Sequence, residues 1–399
     1  MVVVVIHQGS AFRFPRADLA GEPFASHLPG QLLAKAKGRI VVIDTINPFA
    51  GQPDTLDSRL VAGQDLLLVA ADAWFSVTAL EKLCLLISSN PDEASVVRIG
   101  DHEADSSGLP QALLAVYLPA AEAGPMLAGH GLQVFNESLA ELGRRTGNCR
   151  VIAGEWLDPI RPPVQVRHLL DLAHIERGVL YERACAALLN GVRIRDPNRV
   201  AIRGELHCGS GVEIDIDVII EGKVALGDGV RVGANSILIN STIGANTRVN
   251  PFSIVEDAVI GPNCFVGPYG RVRPGSKIGD SVQIGNFVEI KNSEIGSGSR
   301  INHLAFIGDA TLERDVTIGA GSITCNHDGV GVSRTEIKAG AYVGSGCELV
   351  APLSIGTNAT IGAGSTITRD VPARKLTLAR SRQVTVENWV RPHKKTPEK

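Results

Sequence analysis

The sequence predicts a left-handed parallel β-helix of six-residue repeats for the C-terminal half of the chain, preceded by an α/β domain and a helical arm. Three observations carry the prediction. Aliphatic residues recur at a spacing of six from Leu226 to Ile367, aromatic residues make up only 4% of the chain, and 43 residues are glycine. A core of large interdigitating side chains needs more aromatic surface than this. Stacked small residues and tight turns do not.

The chain has 399 residues, which favours two or three domains. Hydrophobic residues are 44%, charged residues 20% and the net charge is −3, the profile of a soluble globular protein with no global bias toward nucleic acid or membrane. Cys84, Cys149, Cys185, Cys208, Cys264, Cys325 and Cys347 are widely spaced and form no CxxC pair. They read as free thiols of a cytoplasmic protein, not as a disulfide framework or a zinc site. The opening MVVVVI is too short for a signal segment, lacks a basic start and reads as a first buried strand. No transmembrane span is visible in the sequence.

Residues 1–163 form the α/β domain. VVVVI, RIVVIDT and DLLLVAAD are buried-strand runs, SVTALEKLCLLI and LAELGRR are helical in pattern, and their order suggests a parallel, nucleotide-binding type of sheet. Pro159, Pro162 and Pro163 mark a linker. Residues 164–195 are the arm: Val166 to Leu189 has helical spacing, and Asn190-Gly191 supplies the stop.

Residues 196–372 carry the repeat. Its aliphatic positions are Leu226, Val232 and Leu238, then Ile243, Val249 and Val255, then Ile260 through Ile290 in steps of six. The series goes on through Ile295, Ile301, Ile307, Leu312 and Ile318, and ends with Ile337, Val343, Leu349, Ile355, Ile361 and Ile367. A six-residue unit fits a short flat strand and a sharp corner, and three units close one triangular coil. One unit cannot bury its apolar face alone, so the coils must stack. Steps of five, as at Leu238 to Ile243 and Val255 to Ile260, predict a tighter turn. The segment Thr324–Glu336 breaks the period and predicts a loop outside the stack, where function tends to sit. Residues 373–399 are a tail whose basic RPHKK run reads either as a cap over a site or as disordered chain.

The stretches GVRIRDPNRV, VEIDIDVIIEG, GRVRPGSKIG, IGNFVEIKNS, HLAFIGDA, IGAGSITCNHDG, VGSGCELVAP and IGAGSTITRDV occur in this order, loop included. Together they resemble the acetyltransferase half of the bacterial bifunctional enzymes that join an N-acetylglucosamine-1-phosphate uridyltransferase to a glucosamine-1-phosphate N-acetyltransferase. On residue type alone, His303 reads as a surface or packing histidine; the resemblance makes it the general base, a role suited to an imidazole, which can take up and give back a proton. The resemblance also implies that Arg273 and Lys291 hold the sugar phosphate and that Asn326 contacts the sugar or acetyl group. It implies that Ala320, Ser345, Ala363 and Arg380 line acetyl-CoA as co-substrate, in a homotrimer whose active sites lie between subunits.

Three substrate-side positions depart from the family pattern: Phe306 and His327 replace tyrosines, and Thr317 replaces an asparagine. Loss of one hydroxyl bond to a charged group costs about 1.5–3 kcal/mol. The departures leave room for acetylation of a different amino-sugar phosphate. A non-catalytic trimeric scaffold and a fully bifunctional enzyme also stay open as readings of the chain.

The N-terminal domain resembles a degenerate uridyltransferase. HQGSAFRF stands where the family has a Gly-rich phosphate loop, with Gly9 and Arg13 kept but Ala11 in place of a glycine, whose Cβ hinders close approach to phosphate. LAGEP matches the family's LAGKP, but Pro15-Arg16 replaces the PK pair before it. Asp72 is a vestigial candidate metal ligand, and the family's uridine stretch and second metal ligand have no counterpart. Mg is therefore expected only if this domain is active, and the acetyl-transfer half needs no metal.

Overall fold

The computed structural model describes residues 169–391 throughout. Before them it describes the strands Val2–His7, Asp18–Leu19, Glu22–Pro23, Arg39–Asp44, Leu66–Ala70, Ala73–Trp74, Ala94–Arg98, Leu113–Leu118, Cys149–Ala153 and Val164–Gln165, and helical residues between positions 79 and 89. Asp72, the LAELGRR segment and residues 392–399 lie outside the described residues. The chain divides into two units: residues 1–190 with the segments 196–205 and 220–222, and residues 191–195, 206–219 and 223–399.

In the first unit, VVVVI, RIVVI and LLLVA are strands, as their unbroken β-branched and aliphatic runs predict. Val2–His7 lies between Arg39–Asp44 and Leu66–Ala70, parallel to both. The sheet is mixed, however: Leu113–Leu118 runs antiparallel to Leu66–Ala70 and to Ala94–Arg98. A buried run reads the same in either direction, because strand direction is set by the connection. The helix Leu169–Leu189 buries Leu172, Ile175 and Val179 on one face, and Ala184 outside it. Arg183 Nη1 donates to Ile202 O at 3.1 Å, tying the helix to the strand Val200–Cys208. Gly191, at φ 90°, takes the left-handed conformation that ends it. No helix among the described residues is long and apolar enough to cross a membrane.

The second unit is a left-handed parallel β-helix of about ten turns. One side is an 11-stranded parallel sheet from Arg193–Ile194 to Leu376–Thr377. The other two sides form a 17-stranded sheet. Most coils take 17 or 18 residues, as in Arg248 to Phe265 to Gln283. Every aliphatic residue of the repeat series is buried, none more than 4% exposed. Burial of each such side chain contributes roughly 1.5–3 kcal/mol. Two positions before many of them stands a second buried residue, small or hydroxylated, such as Ser293, Ser299 or Cys264. The hydroxyls satisfy backbone groups of their own coil and the next: Ser293 Oγ accepts from Ala310 N of the next coil at 3.0 Å and donates to Lys291 O of its own at 2.8 Å. The cysteines described, Cys185, Cys208, Cys264, Cys325 and Cys347, are free thiols, and burial pushes Cys208 up to about 11.

The five-residue steps turn on left-handed Asn or Asp, residues that tolerate positive φ: Asn240 at 43°, Asp257 at 42°, Asn292 at 45° and Asp309 at 49°. The coil that carries the loop takes 25 residues from Thr317 to its partner Tyr342. At its start Thr324 pairs with Leu349 and fills an inward position of the aliphatic column. Its Oγ1 accepts from Gly308 N at 2.8 Å and donates to Gly308 O at 3.0 Å. Thr324→Val keeps the shape but leaves that amide unpaired in the core. Urea unfolding is expected to show a loss of about 1–3 kcal/mol; an unchanged midpoint would mean that the amide finds another partner.

Candidate active site

His303 ends the strand Arg300–His303, just before a corner at Leu304. Its partner in the coil below is Asn286. His303 Nδ1 lies 2.9 Å from Asn286 Oδ1. With the amide oxygen toward the ring, Nδ1 carries the proton and Nε2 is left as the acceptor. The stack then continues the row upward. Ile301 pairs with Ile318, which sets Ala320 above His303, and Gly321 N donates to His303 O at 3.3 Å. Gly346 N donates to Ala320 O and Gly364 N to Ser345 O, both at 2.8 Å. Arg380 Nη1 donates to Ala363 O at 2.8 Å. The fold thus brings His303, Ala320, Ser345, Ala363 and Arg380 into one continuous row whose side chains, above the histidine, are small until the arginine.

Around the corner, on the next side of the coil, stands a second group. Val272 pairs with Ile290 and Lys291 with Gly308, so Arg273, Lys291 and Gly308 form one column. Arg273 Nη1 meets Glu289 Oε1 at 2.7 Å, both side chains about one-third exposed. Lys291 Nζ lies 3.3 Å from Asp309 Oδ2, and Asn326 Nδ2 donates to the same oxygen. Asn292 Nδ2 donates to Asp309 Oδ1 at 2.6 Å. The Phe306 ring lies over Gly308: a Cβ there would sit 2.6 Å from Phe306 Cζ and 3.0 Å from Asn326 Nδ2. Burial pushes the Asp309 carboxyl up, but hydrogen bonds from Asn292, Asn326 and Lys291, with the charge of Lys291, outweigh it and hold the group below the usual aspartate range.

Two expected residues stand apart. Thr317 occupies the outward row of Arg300 and Tyr342, three residues before Ala320. His327 is exposed in the loop, where it bridges Val332 and its Nδ1 accepts from Gly329 N at 3.0 Å. Among the described residues no cluster of His, Cys, Asp or Glu is arranged to hold a metal ion.

Sequence reasoning missed Asn286, Glu289, Asn292 and Asp309. Each lies one coil from a residue it did single out or from another of these four, at separations of 17, 16, 17 and 18 for the pairs Asn286–His303, Arg273–Glu289, Asn292–Asp309 and Lys291–Asp309. Polar residues one coil length from a candidate are therefore the signal to look for.

Comparison with known proteins falls on this half of the chain. The family of GMPPB C-terminal domains matches residues 202–292. The bifunctional protein GlmU of Janthinobacterium sp. (strain Marseille) is 50% identical over 229 residues, 57% of this chain and 51% of that protein. The bifunctional protein GlmU of Herminiimonas arsenicoxydans is 51% identical over 229 residues, again 57% and 51%. The chain spans about half the length of the curated relatives it matches. The solved Arabidopsis UDP-N-acetylglucosamine acyltransferase is 19% identical, with a TM-score of 0.35 over 47% of this chain and 70% of its own. The resemblance that the ordered motifs suggest is thus found along the β-helix.

Proposed function

We propose that the β-helix transfers an acetyl group from acetyl-CoA to the amine of glucosamine-1-phosphate, giving N-acetylglucosamine-1-phosphate and CoA. The observation that carries the reading is the row that starts at His303, whose Nδ1 lies 2.9 Å from Asn286 Oδ1; with Nδ1 protonated toward that oxygen, Nε2 is the nitrogen left to accept a proton. The amine attacks the thioester carbonyl and forms the C–N bond. His303 Nε2 takes the amine proton, collapse of the adduct breaks the C–S bond and expels CoA as the thiolate, and the thiolate takes the proton from the imidazolium to leave as the thiol. The small side chains of Ala320, Ser345 and Ala363 leave room for an extended pantetheine arm, and Arg380 supplies a cation for a CoA phosphate. Arg273 and Lys291 supply two cations for the sugar phosphate, and Asn326 a polar contact for the sugar. The similarity to bifunctional GlmU proteins at about half identity over this segment supports the same reading.

The working form in this reading is a homotrimer. His303 and the Lys291 group lie on adjacent sides of one coil, so a neighbouring copy would complete the walls of the cleft. The exposed rings of Phe252, Tyr269 and Phe287, stacked at 5.0 Å just below the corner at Leu304, support a covering partner there.

Phe306, in place of a tyrosine, favours a second reading, acetylation of another amino-sugar phosphate. The N-terminal residues support loss of uridylyl transfer, since Ala11 and Pro15-Arg16 replace groups that chemistry uses. One experiment covers these points: CoA release with a panel of amino-sugar phosphates, beside Mg-dependent formation of UDP-N-acetylglucosamine from UTP. Turnover of glucosamine-1-phosphate well above the other sugars sustains the first reading; preference for another sugar replaces it with the second. Formation of UDP-N-acetylglucosamine would show that the N-terminal domain is active.

A further inference from the structure

The excluded loop leaves the stack after Cys325 and returns at Thr335, and both ends of it meet one residue. At the exit, Asn326 Nδ2 donates to Asp309 Oδ2. At the return, Thr335 N donates to Asp309 O at 3.2 Å. The neck is closed between them by Ser333 N, which donates to Asn326 O at 2.8 Å. Asp309 is itself immobilised. It is 6% exposed, its left-handed corner is built into a five-residue step, its amide donates to Lys291 O at 2.9 Å, and its second oxygen accepts from Asn292.

We propose that Asp309 is a positioning residue: it anchors both ends of the excluded loop to the coil that carries Lys291, so that the Lys291 ammonium and Asn326 are presented together to one anionic sugar phosphate. The proposal rests on the acetyl-transfer reading, in which those two groups bind substrate. The chemistry suits the task. An ammonium has three donors, and the carboxylate engages one, which leaves the others for phosphate oxygens. A long flexible side chain tethered in this way loses less rotamer freedom when the anion arrives. The Asn326 amide, fixed through its nitrogen, keeps its carbonyl oxygen for a sugar hydroxyl or the amine. The pair also explains why a carboxylate is tolerated beside a phosphate site: Lys291 and Asn326 stand on the same oxygen, and Asn292 covers the other. The row of Ala320, Ser345 and Ala363 shares none of these bonds, so the clamp serves one substrate and not the other.

The test is steady-state kinetics of the full chain with Asp309→Asn, which keeps the size of the side chain and removes its charge. The KM for glucosamine-1-phosphate is expected to rise about tenfold or more, while the KM for acetyl-CoA stays within about twofold. A general packing defect would move both constants alike, and equal shifts or no shift would overturn the proposal. Asn292→Gly keeps the left-handed corner and removes one bond to the carboxylate; it is expected to shift the same KM in the same direction by less, and it serves if Asp309→Asn does not fold. Hydrogen exchange gives an arm independent of turnover. The amide of Ser333, which closes the neck on Asn326, is expected to exchange faster in either variant, and unchanged protection would count against the anchor. If the wild-type chain turns over no amino-sugar phosphate, the acetyl-transfer reading fails, while the exchange arm still decides whether Asp309 holds the loop.

Discussion

Replacement of His303 by alanine is expected to lower CoA release from acetyl-CoA and glucosamine-1-phosphate by about 10²–10⁴-fold, the range that a positioned general base contributes. The loss should fall on kcat, because the imidazole acts on the amine proton and not on either anchor. The fold should be untouched: His303 is exposed at a corner, and its one side-chain partner among the described residues is Asn286. A far-ultraviolet spectrum and a melting temperature equal to the wild type would accompany the loss. A His303→Ala protein with near wild-type kcat would remove the histidine from the mechanism, and the row above it would then be a binding surface without a base.

Substitution of Gly285 by alanine is expected to damage stability and activity together. Gly285 lies between the inward Ile284 and Asn286, and a Cβ there would run into the carbonyl oxygen of Asn302 in the next coil. The obstacle is backbone inside a paired sheet, not the end of a flexible side chain, so the coils must separate or shift locally. Overpacking of this kind costs about 1–3 kcal/mol, or about 2–12 °C in melting temperature for a domain of this size. Any shift at Asn302 is passed to His303 through the chain and to the Asn286–His303 bond through the register, so kcat should fall as well. Gly331→Ala is the matched control, since nothing lies within 4 Å of a Cβ there. If the two alanine variants melted alike, the close approach of the coils at Gly285 would be refuted.

The β-helix was legible because its signal is local and repeated: each aliphatic residue from Leu226 to Ile367 announces its own inward position. Thr324 escaped the pattern because a hydroxyl pair to Gly308 lets a polar residue take an aliphatic place. The mixed order of the N-terminal sheet was not legible, since LLAVYL carries no mark of strand direction. The site was legible only in part. A histidine or a lysine is ordinary as a residue type, and only the ordered motif series singled out His303 and Lys291. Their partners were hidden for a different reason. Asn286 and Asp309 meet them across coils, and coil length, 17 or 18 in most of the stack, reaches 25 at the loop, so partners cannot be counted off until the register is known. Thr317 shows the converse. It is close in sequence to Ala320 yet belongs to the row of Arg300 and Tyr342.

The loop-bearing coil has one further consequence. It is longer than its neighbours, yet Thr317 meets Tyr342 and Ala310 meets Thr335 in unbroken parallel register. The stack closes beneath the inserted residues as though they were absent, so the length between Cys325 and Thr335 is a variable that the scaffold does not sense. Segments of other lengths could be exchanged there without refolding the rest, and, in the proposed reading, an evolving lineage could change which sugar is accepted while the His303 side of the coil stays as it is.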